Sequence, residues 1–196
     1  MGEDFKKNCE FNGKTYALPC YKGSVLVYYW VCPKEIFDTL GIDRASIKNV
    51  RDLDPVLAKI KELYPDMAAI APSIGANGAG NNFELARVLA GVGDYEVTNL
   101  NNGICVVGDD RTVRNMYETD YFREICDIAY GWNQAGYVVK DASVVTDANF
   151  TLVEAGRAAS YIIGYAYSAE SVEAMSLTKA DPYETVAIPL SKDMMS

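Results

Sequence analysis

The sequence predicts an α/β domain in which helices pack around one central mixed sheet. Two observations carry that reading. Short runs rich in Val, Ile and Tyr alternate along the chain with segments whose apolar residues recur at helical spacing, as strands and helices sharing a sheet would. The 196 residues are 49% apolar, enough for one domain to bury a substantial core. No internal repeat or low-complexity linker divides the chain, so residues 1–196 are read as a single unit.

The elements follow in order. Lys14 to Leu18 and Val25 to Val31 read as strands, the first ended by Pro19 and the two separated by a Lys22-Gly23 turn. Pro33 takes the first position of a short helix through Leu40, which Gly41 closes. In NVRDLDPVLAKIKELYP, Asn49 is an N-cap with Asp52 three residues on; Leu53, Val56, Leu57, Ile60 and Leu63 then form an apolar stripe that Pro65 ends. Met67 to Ala71 reads as a short buried strand, and SIGANGAGNN (73–82) as a loop too rich in Gly and Asn for regular structure. A helix follows from about Asn82 to Ala90. Ile104 to Val107 and Thr112 to Tyr117 suggest strands or a hairpin on the periphery. Thr119 caps a long amphipathic helix with the stripe Phe122, Ile125, Cys126, Ala129 and Trp132, ending at Gly136. A helix from about Asp147 to Ala155 is closed by Gly156 and precedes the buried strand in AASYIIGYAY. A helix near Ser168 to Leu177 and a strand from Glu184 to Pro189 complete the series.

Composition removes several functions. A net charge of −9, with no basic stripe, repels a phosphate backbone, so no nucleic-acid partner is expected. The five cysteines form no CxxC pair and histidine is absent, which leaves little for a zinc site and removes the usual base of Ser or Cys nucleophiles. No P-loop, GxSxG or dinucleotide fingerprint appears. No cofactor, metal site or catalytic residue is therefore assigned. The cysteines are read as free, buried and packing like small hydrophobes. No stretch approaches the length of a membrane span or of a signal-peptide core.

What remains is a pattern of loops. In open α/β sheets ligands gather where loops leave the carboxyl ends of strands, and three such loops stand out: Tyr21 to Ser24, Ser73 to Asn82, and Gly164 to Ser168. Tyr and Trp pair a flat apolar face with a polar tip, which suits the C–H face and hydroxyls of a sugar. Tyr28, Tyr29 and Trp30 alternate along a strand, where packing is the ordinary reading; Tyr21, Trp30 and Tyr165 flank loops and stand open to both readings. Asn77, Asn81 and Asn82 serve hydroxyls or turns equally well, and Asp109-Asp110 reads as solvated surface.

The ordered motifs carry a resemblance. NGKTYALP, VCPKEIFDTLGID and IKNVRDLDPVLAKIKELYPD, followed by YETDYFREICDIAYGWNQAGYVVKDA, EAGRAASYIIGY and YETVAIPLSK, resemble in order and spacing the extracellular solute-binding proteins of carbohydrate ABC importers, of the bacterial lipoprotein type. Val50 stands where that pattern usually has Trp, and Cys32-Pro33 replaces Tyr-Asn or Tyr-Arg before Lys34.

The resemblance implies two α/β lobes closing on a solute, with this chain chiefly the second lobe and the crossovers near residues 12–20 and 157–168. It implies a non-catalytic sugar-binding role, a permease partner, and an extracellular, lipid-anchored protein of which this chain is a soluble piece. By position it assigns ligand contacts to Tyr21, Lys22, Gly23, Ser24, Ser73, Asn77, Asn81, Tyr165 and Tyr167. One lobe alone should bind weakly, because half the contacts and the exclusion of water are missing. Its apolar inter-lobe surface is expected to drive self-association, which a clean monomer in sedimentation at high concentration would contradict. Two further readings stay open: a carbohydrate-active enzyme with paired acids, and a structural interaction domain.

Overall fold

The computed structural model of the protein describes residues 10–16, 27–74, 81–82, 85–88, 97–99, 103–107, 112–140, 142–165, 168–178 and 182–190. Strands β1 (Glu10–Phe11) and β2 (Lys14–Thr15) pair as a small hairpin around Asn12-Gly13. The central strand β3 (Val27–Pro33) leads directly into α1 (Lys34–Leu40). Pro33 is the residue before that helix rather than its first member, and Gly41 ends it at φ 59°, a left-handed conformation that a residue without Cβ adopts freely. A turn at Val50–Asp52 feeds α2 (Leu53–Leu63). There Asn49 accepts the amide of Arg51 at 2.9 Å while Asp52 accepts the amide of Asn49 at 3.1 Å, the reciprocal cap expected from the sequence.

Beyond the buried segment 68–71 come β4 (Ser73–Ile74), β5 (Asn81–Asn82) and α3 (Leu85–Val88). A small sheet of β6 (Val97–Asn99), β7 (Ile104–Val107) and β8 (Val113–Asn115) follows. Then come α4 (Asp120–Gln134), α5 (Asn149–Glu154), β9 (Tyr161–Tyr165), α6 (Ala169–Leu177) and β10 (Thr185–Pro189). Among the described residues no helix is long and apolar enough to cross a membrane.

The main sheet has the order β10-β3-β9, with β3 antiparallel to both neighbours. Segment 68–71 extends it in parallel: Ala68 bridges Ala158 and Ala71 bridges Tyr161 on one side, and Ile70 bridges Val138 on the other. The sheet is therefore mixed, as expected.

Strand alternation explains how both faces become core. Tyr28, Trp30 and Cys32 point into a cluster with Leu40, Leu53, Leu57, Ile60, Tyr121 and Trp132, from α1, α2 and α4. Val27, Tyr29 and Val31 point the other way, onto Leu152, Val153, Tyr161 and Val172 from α5, β9 and α6. The aromatic run of β3 is thus packing, and the two departures from the family pattern, Cys32 and Val50, are both wholly buried.

Four expectations need correction. Leu63 and Cys126 are exposed, because each helix turns its last or flanking position away from the sheet; among the described residues Cys32 and Cys105 are buried free thiols, and Cys9 and Cys20 lie outside those residues. The stretch 73–82 is regular at both ends, with Ser73 opposite Asn82 and Ile74 opposite Asn81. The small sheet is not mere decoration, since Cys105 and nearby Met116 enter the first cluster together with Leu85 and Val88.

Candidate functional site

The topology gathers the described ends of the three marked segments at one end of the main sheet. Val27, where β3 begins, is registered opposite Tyr165, where β9 ends. Segment 68–71 runs parallel to β9, so it ends on the same side, and Ser73 donates its hydroxyl to the carbonyl of Ile162 at 3.3 Å. Segment 68–71 and β9 thus present the carboxyl ends of parallel neighbours, the place where α/β sheets hold ligands, beside the amino end of β3.

A polar knot ties this end together. Asn149, the first residue of α5, donates its amide to the Ile162 carbonyl at 3.1 Å and to the Ser73 hydroxyl at 3.2 Å. Ser160 donates to the Ala69 carbonyl at 2.6 Å one register step away. Gly164 leaves room for a neighbour: a Cβ there would lie 2.7 Å from Cε1 of Tyr28, whose ring covers the glycine across the strand pair.

Beside the knot, a cavity of about 280 Å³ opens between α5, β9 and α6. Its floor is Tyr161, Ile163 and Tyr165, which alternation puts on one face of β9; its walls are Phe150, Val172, Met175, Ser176 and Thr178. Burial pushes the Tyr161 phenol well above the ordinary tyrosine range, reinforced by Tyr183, Tyr165 and Glu154, so it stays a neutral group at physiological pH. At the start of α6 the Glu170 carboxyl is held below its usual range by its own backbone amide and by the Ser168 hydroxyl. A shallower polar depression, lined by Lys34, Glu35, Asp38, Tyr183 and Glu184, lies at the opposite end, where Pro33 faces Thr185. Among the described residues no cluster of acidic or sulfur ligands is arranged to hold a metal ion.

Of the residues assigned from sequence, Ser73 and Tyr165 are brought to the same sheet end. Tyr165 is partly buried and forms part of the floor of the cavity. The Ser73 hydroxyl is buried and engaged with Ile162 and Asn149, so its visible role is to anchor β4. Asn81 contributes its backbone to β5, opposite Ile74. Tyr21, Lys22, Gly23, Ser24, Asn77 and Tyr167 lie outside the described residues. Sequence reasoning missed Tyr161, Phe150 and Asn149. The first was findable, two and four residues before Ile163 and Tyr165 on the same strand face. Asn149 and Phe150 were hidden because α5 begins after Ala148, which makes no side-chain cap.

No family model matches the chain. A carbohydrate ABC transporter substrate-binding protein of Streptococcus pneumoniae serotype 4 is 32% identical to it over 148 residues, covering 72% of this chain and 26% of that protein. The fold is shared with the crystal structure of the N-glycan transport solute binding protein NgtS of Streptococcus pneumoniae, at TM-score 0.68 and 18% identity, covering 98% of this chain and 39% of that one. The substrate-binding protein Lmo0181 of Listeria monocytogenes, solved with cycloalternan, superimposes at TM-score 0.55 and 12% identity, over 95% of this chain and 42% of that one. The chain thus spans about a quarter of the curated relative, 26%, and about two fifths of these solved structures. Over that portion it is similar in sequence to a carbohydrate ABC transporter substrate-binding protein and shares the α/β fold of these solved structures.

Proposed function

We propose that the chain is one lobe, the second, of a two-lobed solute-binding protein that captures an oligosaccharide outside the cell and hands it to an ABC permease. Binding is its work, and no bond in the solute is made or broken. The crossover segments near 12–20 and 157–168 would join this lobe to the other, and a lipid anchor would hold the whole protein at the membrane. The observation that carries the reading is the gathering of Val27, Ser73 and Tyr165 at one sheet end, in a chain related to a carbohydrate substrate-binding protein. NgtS has been crystallised with Man1GlcNAc and Man5GlcNAc, which makes mannose–N-acetylglucosamine oligosaccharides the first solutes to try. Tyr165 supplies an aromatic face there, and Tyr21, Lys22, Gly23, Ser24, Asn77, Asn81 and Tyr167 would complete the lobe's share of contacts.

The test is a thermal-shift screen of oligosaccharides on this chain and on the two-lobed protein. A solute that binds only the native state stabilises it by about 2.7 kcal/mol at a hundred times its Kd. The expected result is a clear shift for the two-lobed protein, a small or absent one for the lobe alone, and a reduced one for Tyr165→Ala. Sustained turnover of a glycoside that vanishes on replacing one carboxylate would overturn the reading, as would indifference of the two-lobed protein to every sugar.

A further inference from the structure

Asn149 is an unusual residue to find where it stands. It is 8% exposed at the head of α5, two turns of chain that otherwise send Leu152 and Val153 into the core. An amide taken out of water costs about 1–3 kcal/mol unless its hydrogen bonds are restored, so a residue serving only to fill space here would be apolar. Both sides of this amide are used. Oδ1 accepts the backbone amide of Phe150 at 2.8 Å, and Nδ2 donates to the Ile162 carbonyl at 3.1 Å and to the Ser73 hydroxyl at 3.2 Å. Ser73 passes its own proton to the same carbonyl at 3.3 Å, closing a ring of donors over the middle of β9.

The ring joins three elements, α5, β9 and the start of β4, through side chains as well as through the core. The pairing of β4 with β5 consists of Ser73 with Asn82 and Ile74 with Asn81, far too short to hold a position by itself. Beyond the parallel bridge of Ala71 to Tyr161, the Ser73 hydroxyl holds its root against β9, and the Asn149 amide holds that hydroxyl. Tyr165 lies three residues along β9 from Ile162, at the end of the same strand.

We propose that Asn149 is a positioning residue of the binding edge: it locks the root of the β4–β5 pair onto β9 and so sets that pair relative to Tyr165. The consequence for solute binding rests on the proposed function; the positioning itself does not. Asn149→Asp keeps the shape and the bond to Phe150 but turns both donors into an acceptor facing two oxygens. Ser73→Ala removes the relay while leaving the Asn149 bond to Ile162, and serves if the first variant fails to fold.

The experiment is backbone hydrogen exchange on the 196-residue chain, followed by the thermal shift produced by a mannose–N-acetylglucosamine disaccharide on the same proteins. In both variants, protection at the amides of β4 and β5 should fall about tenfold or more while that of β3 is unchanged, the signature of local rather than global opening. Any disaccharide shift seen in the wild type should shrink with it. Unchanged exchange in β4 and β5, or a rise shared equally with β3, overturns the proposal. Selective loosening in a chain whose wild type ignores the disaccharide leaves the positioning standing and counts against the sugar; a disaccharide shift and local protection that both survive in the variants count against the positioning alone.

Discussion

At the scale of single residues, the sheet end depends on a missing atom. Gly164 faces Tyr28 across the β3–β9 pair, and the Tyr28 ring lies where a side chain on residue 164 would go, with Cε1 at 2.7 Å and Cζ at 2.9 Å from an added Cβ. Glycine in a strand is ordinarily a weakness, because it leaves backbone unprotected and loses more entropy on folding. Here the ring covers the exposed backbone and turns the weakness into a packing contact. Tyr28 is buried against the first core cluster, so it cannot simply swing aside. Gly164→Ala should therefore destabilise by about 1–3 kcal/mol, the usual cost of overpacking a filled site. The urea midpoint should fall, with the loss relieved when Tyr28 is also made smaller. A midpoint equal to the wild type's would mean that the ring moves freely and the contact is unimportant.

At the scale of elements, β10 raises the problem of an outer strand, whose unpaired peptide groups can recruit another chain. Its outward groups at Ala187 are occupied by side chains instead. Ala187 donates its amide to the Glu173 carboxylate at 2.9 Å, Arg44 donates to the Ala187 carbonyl, and Arg44 and Glu173 pair with each other at 2.8 Å. Pro189, two residues on, offers no amide at all. Glu173→Ala should cost about 1–2 kcal/mol by leaving a donor unmet, and should produce concentration-dependent association of β character. Glu173→Gln keeps an acceptor for the Ala187 amide and should associate no more than the wild type where the alanine variant associates more; equal behaviour of the two by light scattering would refute the assignment. The same scale shows what the sequence could convey. The caps at Asn49, Thr119 and Ser168 are bonds between residues two or three apart, and the helices they open stand within a few residues of where those caps put them. The hydrogen bonds that anchor Ser73 and Asn149 are completed by the Ile162 carbonyl, outside the local window of either residue, and no local pattern announces them. Tyr165 was legible because it ends a strand just before a loop, and Tyr161 follows from it by the alternation of that strand; Phe150 was not legible, because a cavity belongs to three elements at once.

At the scale of the whole molecule, the two-sided core leaves a titration signature. Burial raises the phenols of Tyr121 and Tyr161 well above their ordinary value and those of Tyr29 and Tyr183 less far, and it raises the Cys32 thiol as well. All five are acids that the fold keeps neutral. In the unfolded chain the thiol loses its proton from about pH 8.5 and the phenols from about pH 10, while the native state still holds theirs. The native state then binds more protons than the unfolded one, so stability falls as pH rises. Below those values both states are protonated and the groups add no pH dependence. The urea midpoint should therefore be insensitive to these groups up to about pH 8 and decline increasingly steeply above about pH 10. Replacing Tyr121 and Tyr161 together by Phe removes the two most strongly raised phenols and should flatten the decline, whatever repulsion the net charge of −9 contributes in common to both proteins. If the double variant declines as steeply as the wild type, the aromatic floor of the cavity and the tyrosine against the opposite cluster are wetter than their packing implies. The proposed binding edge would then have a solvated floor, on which an aromatic face holds a sugar far less firmly than on a dry one.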